Sequence, residues 1–176
     1  LNRHSSPPIR QDGGVSSAEQ TFRIVVLASG GGTNLQAILD QLHGKDGIEV
    51  AGVASDKPDA FALVRAAAAK VPTGVFARDG WPDRKARDLA MADWIDSFEA
   101  DLVVLAGYMQ LVSPEFVARF RGRIVNVHPA LLPSSPGLDA IGQAIEHGVR
   151  VTGVTVHYVD EGTDTGPVIR QQAVEI

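Results

Sequence analysis

Short apolar runs alternate with segments of helical length through most of this chain, and this alternation limits the folds open to it. Five apolar runs are the predicted strands: FRIVVLA (22–28), IEVAGVA (48–54), GVFA (74–77), DLVVLAG (101–107) and RIVNV (123–127). Continuous runs rich in Val and Ile are typical of strands buried on both faces. Strands that alternate with helices favour βαβ units with right-handed crossovers. We therefore predict an α/β, Rossmann-like fold, with a mostly parallel sheet flanked by helices.

The last part of the chain has a different pattern. The segment VTGVTVHYV (151–159) alternates apolar and polar residues, and PVIRQQAVEI (167–176) follows it after the turn-rich loop DEGTDTG (160–166). Two such segments predict adjacent strands, with a connection that is long for a simple hairpin turn. We expect a C-terminal antiparallel extension of the sheet, and long loops are common places for functional sites.

Residues 1–20 are polar and rich in Ser, Pro and Gly, which predicts a disordered tail. The remaining residues, 21–176, suffice for one domain. The apolar runs are far shorter than the roughly 18 to 20 residues needed to cross a bilayer, and the N-terminus has no apolar signal-peptide core. These features predict a cytoplasmic protein without a membrane partner.

Composition excludes several functional classes. The chain has 16 Lys and Arg against 21 Asp and Glu, a net charge of −5, and its basic residues are scattered, which disfavours a nucleic-acid partner. It has no cysteine, so a disulfide framework, a thiolate metal site and a thiol nucleophile are excluded. The histidines have no neighbours at metal-ligand spacing, and we expect no metal.

The first candidate site is the loop SGGGTN (29–34), between the first predicted strand and the first predicted helix. Glycines permit a tight turn, and the amides at the start of the following helix suit a phosphate. A dinucleotide site is a second interpretation, in which Asp56 would bind a ribose hydroxyl, although Leu35 stands where that fingerprint requires Gly. A purely structural turn is the third.

The second candidate is the segment NVHPALLP (126–133). Asn126 and His128 lie two residues apart at a strand end, so their side chains point to the same side if the strand continues. An amide beside an imidazole could polarise a carbonyl and stabilise its oxyanion. The alternative is a hydrogen-bonded loop histidine beside a structural asparagine.

The third candidate is the acidic loop 160–166, which contains Asp164. If Asp164 reached His128, its carboxylate would favour the imidazolium form and provide a proton donor near neutral pH. The alternative is a solvated surface loop.

Together the three motifs resemble the folate-dependent formyltransferase family that acts on glycinamide ribonucleotide. The resemblance covers residues 22–176 and is carried in register by VVLASGGGTNLQAIL, DLVVLAGYM, IVNVHPALLPSSPG and GVTVHYVDEGTDTGPVI. It implies a formyltransferase fold and the transfer of a formyl group from the cosubstrate 10-formyltetrahydrofolate to the ribonucleotide amine, in de novo purine biosynthesis. The resemblance also implies that the reaction requires no metal and that the enzyme is a monomer or a homodimer.

The resemblance also implies roles for individual residues. Asn126 and His128 would stabilise the oxyanion, and Asp164 would tune His128 and help to move a proton through water. The residues implied to bind the ribonucleotide phosphate are Gly32, Thr33 and Asn34. The residues implied to bind folate are Arg84, Met109, Gln110, Leu111, Val112 and Asn126.

The chain departs from the family pattern at several positions. Family members often have Arg in place of Gln110, an aromatic residue in place of Ser135, and a His-containing stretch at 138–142. They also usually continue beyond the position of Ile176, so we expect a formyltransferase domain over 21–176 with a truncated C-terminal end.

Three other functions are compatible with parts of the pattern. A 10-formyltetrahydrofolate deformylase, which is a hydrolase, uses a similar Asn, His and Asp, but its family carries an N-terminal regulatory domain. Methionyl-tRNA formyltransferase shares the HPxLLP segment, but it adds an RNA-binding domain. A non-catalytic domain that binds nucleotide or folate is the alternative outside enzymes.

Overall fold

The structure, a computed structural model, describes residues 21–176, so the predicted tail at 1–20 lies outside the described residues. Seven strands are β1 (Phe22–Leu27), β2 (Ile48–Ser55), β3 (Thr73–Val75), β4 (Leu102–Leu105), β5 (Ile124–His128), β6 (Val151–Tyr158) and β7 (Val168–Glu175). Five α-helices are α1 (Thr33–Gln41), α2 (Phe61–Ala68), α3 (Arg84–Asp96), α4 (Pro114–Arg119) and α5 (Ala140–Glu146). A single 3₁₀ turn over Arg78–Gly80 precedes α3.

The strands form one sheet in the order β3-β2-β1-β4-β5-β6-β7. Strands β1 to β5 pair in parallel, whereas β6 pairs antiparallel with β5 and β7 antiparallel with β6. The order reverses between β1 and β4, the kind of position at which open α/β sheets bind ligands. The predicted fold, a mostly parallel sheet with a C-terminal antiparallel extension, is confirmed.

Apolar residues of β1 are buried on both faces of the sheet, because helices cover both faces. Val25 and Leu27 belong to a cluster with residues of α3 and α4, such as Met91 and Phe116. Ile24 and Val26 belong to the opposite cluster, with Leu35 and Leu39 of α1 and Ala62 and Ala66 of α2. The continuous apolar run in the sequence thus reflects two cores, one on each side of the strand.

Two helix starts follow ordinary capping chemistry. The Ser113 hydroxyl accepts a hydrogen bond from the Phe116 amide at the start of α4, with Pro114 in the first turn, as the sequence predicts. Asp83 caps α3 in the same way, accepting from the Ala86 amide at 2.7 Å. The weak strand predicted at 74–77 is instead β3, three residues long, because its pairing with β2 ends at Ser55 and Val75.

The last strand, β7, is an edge strand that pairs only with β6. All eight of its residues are exposed, although the Gln171 side chain donates to the Leu132 carbonyl at 2.9 Å and to the Thr155 hydroxyl at 3.0 Å. Within residues 21–176, no helix has the length and apolarity required to cross a membrane.

Candidate active site

The glycine loop is held tightly between β1 and α1. Gly32 adopts φ +68°, and a Cβ atom there would lie 2.8 Å from both Cα and Cβ of Ala62. The Gly30 carbonyl accepts from the Ala62 amide at 3.0 Å, and the Gly31 carbonyl accepts from Arg65 Nε at 2.8 Å. Glycine is therefore required at position 32 both by backbone conformation and by the close approach of α2.

This loop lines a pocket of about 250 Å³. The three residues predicted to bind phosphate, Gly32, Thr33 and Asn34, all lie in its wall. The first amides of α1 are available there, since the first hydrogen bond of the helix runs from the Gln36 amide to the Gly32 carbonyl. The pocket therefore has the features of an anion site.

Lys57 also lines this pocket, and sequence reasoning did not single it out. It follows β2 and lies beside the glycine loop because the carboxyl ends of the parallel strands β1 and β2 share one edge of the sheet. Its ammonium group adds positive charge near the start of α1. The signal that could have identified Lys57 was its place shortly after the predicted strand 48–54.

Asn126 and His128 lie on β5, and the loop between β6 and β7 brings Asp164 to them. Asp164 Oδ2 lies 3.4 Å from His128 Nδ1, and Asp164 Oδ1 accepts from Asn126 Nδ2 at 3.3 Å. His128 is buried, at 4% exposure. The structure thus brings together the three residues predicted to be catalytic, and one carboxylate contacts both of the others.

His157 is a fourth member of this cluster, and its place in the alternating segment 151–159 predicts only an ordinary strand residue. It pairs with Asn126 across β5 and β6, so both side chains lie on the same face. Its Nδ1 lies 2.9 Å from the Tyr158 carbonyl, which can only accept, so Nδ1 carries a proton. Nε2 then accepts from Asn126 Nδ2 at 3.2 Å in the neutral ring, and it lies 3.4 Å from Asp164 Oδ1.

The Nε2 atom of His128 is hydrogen-bonded to the backbone of the loop that follows β5. His128 Nε2 donates to the Ser135 carbonyl at 2.8 Å, which places a proton on that nitrogen. Gly137, which lies in the same loop as Ser135, donates its backbone amide to Asp164 Oδ2 at 2.7 Å. The ring of His128 therefore lies between a carbonyl oxygen and a carboxylate.

Several residues around this cluster adopt left-handed backbone conformations. Ser135, Asp139 and Asp164 have φ values of 48°, 59° and 55°. Such conformations are uncommon for residues other than glycine and are frequent at functional sites. Inside the Asp164 loop, Asp160 Oδ1 accepts from the Thr165 hydroxyl at 2.7 Å and from the Gly162 amide at 3.0 Å, which stabilises the turn.

A second pocket, of about 580 Å³, lies between the start of α3 and the loop after β4. Four residues predicted to bind folate line it: Arg84, Met109, Gln110 and Leu111. Val112 is not in its wall and packs half-buried against the core cluster of α3 and α4. Asn126 lies in the histidine cluster instead. Met109 lines both pockets, so they are neighbours.

The wall behind the second pocket contains buried polar groups. Gln110 Nε2 donates to Asp56 Oδ2 at 3.0 Å, and Asp56 is 8% exposed. Burial raises the pKa of the Tyr108 phenol above its ordinary value, so this side chain stays neutral. Among residues 21–176, no group of three or more His, Cys, Asp or Glu is arranged to hold a metal ion.

The described part of the chain matches a known family. The family model described as "Formyl transferase" matches residues 22–176. The chain therefore belongs to the formyl transferase family.

Within that family, the chain is similar to enzymes named for one reaction. The phosphoribosylglycinamide formyltransferase of Haemophilus influenzae is 45% identical over 155 residues, covering 88% of this chain and 73% of that protein. The Bacillus subtilis protein of the same name is 42% identical, covering 88% of this chain and 80% of that protein. The crystal structure of glycinamide ribonucleotide transformylase 1 from Symbiobacterium toebii has a TM-score of 0.86 and 47% identity, covering 93% of this chain and 77% of that chain.

Proposed function

We propose that this chain transfers a formyl group from 10-formyltetrahydrofolate to the amine of glycinamide ribonucleotide, in de novo purine biosynthesis. The observation that carries this proposal is the cluster of Asn126, His128 and Asp164 at β5, in the same sheet whose strand β1 leads into the glycine-loop pocket, in a chain similar to phosphoribosylglycinamide formyltransferases. The chemistry needs oxyanion stabilisation and proton transfer, and it needs no covalent nucleophile. The absence of cysteine is therefore compatible with this reaction.

The two pockets would receive the two substrates. The ribonucleotide phosphate would bind the start of α1 through Thr33 and Asn34, with Lys57 adding charge. Folate would occupy the larger pocket, along the exposed side chains of Met109 and Leu111. Because Met109 borders both pockets, a ligand in one pocket would lie near a ligand in the other.

In the reaction, the amine nitrogen attacks the formyl carbon and forms a tetrahedral intermediate with a negatively charged oxygen. His128 Nε2 already carries the proton that this oxygen needs, but it is bonded to the Ser135 carbonyl. The formyl oxygen would therefore replace that carbonyl as the acceptor. Removing one such donor typically lowers turnover about 10²- to 10³-fold.

Asn126 would help only if its present bonds change. Its amide nitrogen faces Asp164 at 3.3 Å and His157 at 3.2 Å, both long hydrogen bonds. One of them would give way as the oxyanion forms. Asp164 would help to move a proton from the attacking amine to the folate nitrogen as the C–N bond breaks, which leaves tetrahydrofolate and the formylated amide.

The deformylase and the non-catalytic binding domain are not favoured, since the similar proteins cited above are named as formyltransferases. The monomer or homodimer, the cytoplasmic location and the lack of a metal requirement stay predictions from the sequence.

A formyl-transfer assay tests the proposed function. Purified protein is incubated with 10-formyltetrahydrofolate, with and without glycinamide ribonucleotide, and tetrahydrofolate is measured. We expect product only when the ribonucleotide is present. Equal product in both reactions would favour the deformylase, and no product in either would favour the binding domain.

A further inference from the structure

Arg87 is a charged side chain in an unusual position on α3. Its side chain is only 3% exposed. Nε donates to Asp88 Oδ1 at 2.8 Å, and Nη2 lies 2.7 Å from the same oxygen without a second well-directed hydrogen bond. In residues 21–176, only Arg87 Nη2 and Asp56 Oδ1 are buried side-chain polar atoms without a hydrogen-bond partner. Arg87 thus has unused donors in a place where polar groups are normally satisfied.

The neighbouring carboxylate cannot use these donors. Asp88 is fully buried, and its second oxygen, Oδ2, accepts from the Ser113 amide at 2.6 Å. A bidentate pair with arginine requires both oxygens of the carboxylate. Asp88 therefore holds the guanidinium of Arg87 by its Nε–Nη2 edge, and Nη1, the remaining nitrogen of the fork, makes no hydrogen bond to any described residue.

Arg87 lines the pocket of about 580 Å³ described above, although most of its surface is buried. Arg78 and Arg84 also line this pocket, and the carboxylates in its wall are Asp79 and Asp83. Asp83 is engaged as the cap of α3. The lining residues thus include three arginines and two aspartates, and the third carboxylate, Asp88, lies behind the wall and is paired with Arg87.

The same pocket has an apolar side. Met109 and Leu111 are 54% and 63% exposed, and Trp81 lies in the wall. An arginine fork beside such a surface suits a ligand that joins an aromatic or apolar body to a carboxylate. An anion without an apolar body would leave the apolar side of the pocket without a contact.

We propose that Arg87 is an anion-binding residue of this pocket and that it binds a carboxylate on the tail of the folate cosubstrate. The identity of the ligand rests on the proposed function, whereas the anion site rests on Arg87 itself. Asp88 is the positioning residue, because it orients the guanidinium and, through Ser113, fixes the end of the loop that carries Met109 and Leu111.

The test compares the binding of two probes by calorimetry, 4-aminobenzoyl-L-glutamate and 4-aminobenzoate, which differ by the glutamate. Removing Arg87 alone would leave Asp88 as an unpaired buried charge, so the main variant is the double substitution Arg87→Met with Asp88→Asn. Asn at 88 keeps an oxygen for the Ser113 amide. The controls are Asp88→Asn alone and Arg150→Met, which removes an exposed arginine of the loop before β6.

We expect the double variant to bind the glutamate probe about tenfold or more weakly than the wild type, with 4-aminobenzoate binding unchanged. Arg150→Met should bind both probes as the wild type does, and Asp88→Asn should retain more affinity for the glutamate probe than the double variant. Arg87→Lys, which keeps the charge and loses the fork, should fall between wild type and double variant. Melting temperatures identify variants that fail to fold.

Three results would overturn the proposal: no binding of the glutamate probe to the wild type, equal affinity of wild type and double variant for it, or equal losses for both probes. None of these three binding results depends on turnover, so they test the anion site independently of the proposed function. If the chain shows no formyl transfer while binding still depends on Arg87, the proposed function fails and the anion site stands. A fourth result, from kinetics, would also overturn the proposal: if transfer proceeds and the double variant keeps the KM for 10-formyltetrahydrofolate, the anion site fails while the proposed function stands.

Discussion

At the scale of single residues, His128 and Asp164 carry most of the proposed chemistry. We expect His128→Ala and Asp164→Asn each to lower kcat by about 10² or more, because each removes a proton-handling or oxyanion-stabilising group. Steady-state kinetics with both substrates measures this effect. His147→Ala is the matched control, since His147 is exposed and bonds only the Gln143 carbonyl of its own helix. Near-normal turnover in either variant would remove that residue from the mechanism.

A second prediction at this scale concerns Thr33 and Asn34. Their substitution by Ala should raise the KM for the ribonucleotide more than it lowers kcat, because a phosphate contact is present in both ground and transition states. Gln41→Ala, an exposed substitution near the other end of α1, should leave both constants unchanged. An unaltered ribonucleotide KM in both loop variants would argue against the phosphate assignment.

The place of His157 in the cluster could not be predicted from the sequence. It is 31 residues from Asn126 along the chain, and the two are brought together only by the pairing of β5 with β6. In the sequence, His157 is one polar position in an alternating strand, as many solvent-facing residues are. Its burial, at 1% exposure, depends on which segment packs over that face.

At the scale of elements, the glycine loop sets how closely α1 and α2 approach. Gly32→Ala should lower the free energy of unfolding by about 2 kcal/mol or more, since it adds left-handed strain and a clash with Ala62. Urea denaturation measures this change. Gly30→Ala is the control, because a Cβ there meets nothing within 4 Å, and we expect a change within about 0.5 kcal/mol. Equal effects of the two substitutions would contradict this explanation.

Helices α3 and α4 are joined at the surface by Lys85 and Glu115, whose Nζ and Oε1 lie 2.7 Å apart. The hydrogen bond from Lys85 lowers the pKa of Glu115 below its ordinary 4.5, and the same bond raises the pKa of Lys85 above 10.5. The stabilisation from Glu115 is therefore present above pH 4.5 and is lost as the pH falls through its lowered pKa.

We expect Glu115→Gln to melt slightly below the wild type at pH 7, with the difference closing in acid below pH 4.5 and shrinking in high salt. Differential scanning calorimetry across this range measures it. Glu146→Gln, on the exposed face of α5, should show no such closing difference. If the difference in melting temperature between wild type and Glu115→Gln grew in acid, it would contradict the lowered pKa of Glu115.

At the scale of the whole molecule, the sheet is unevenly protected. Strand β1 lies between two parallel neighbours and two helical layers, whereas β7 has one neighbour and eight exposed residues. We expect backbone amides of β7 to exchange with solvent about tenfold or more faster than those of β1, measured by mass spectrometry at low protein concentration. Equal protection of the two strands would contradict this expectation, and protection of β7 that rises with concentration would indicate that a second copy covers the edge.

The sequence by itself determined the alternation of strands and helices, the antiparallel extension and the three motifs. These are local properties: a continuous apolar run such as that of β1, or glycines before a helix, carries its physical cause within a few residues. The helix start at Ser113 was predictable for the same reason.

Only the tertiary structure decided which distant groups share a site. The approach of Asp164 to His128, the place of His157 beside Asn126 and the occupation of His128 Nε2 by the Ser135 carbonyl each depend on how loops cross the sheet. The buried donors of Arg87 were also invisible in the sequence, where the residue is one of several charges on α3. The physical reason is that burial and hydrogen-bond saturation belong to the packed chain, since they depend on segments far apart in sequence.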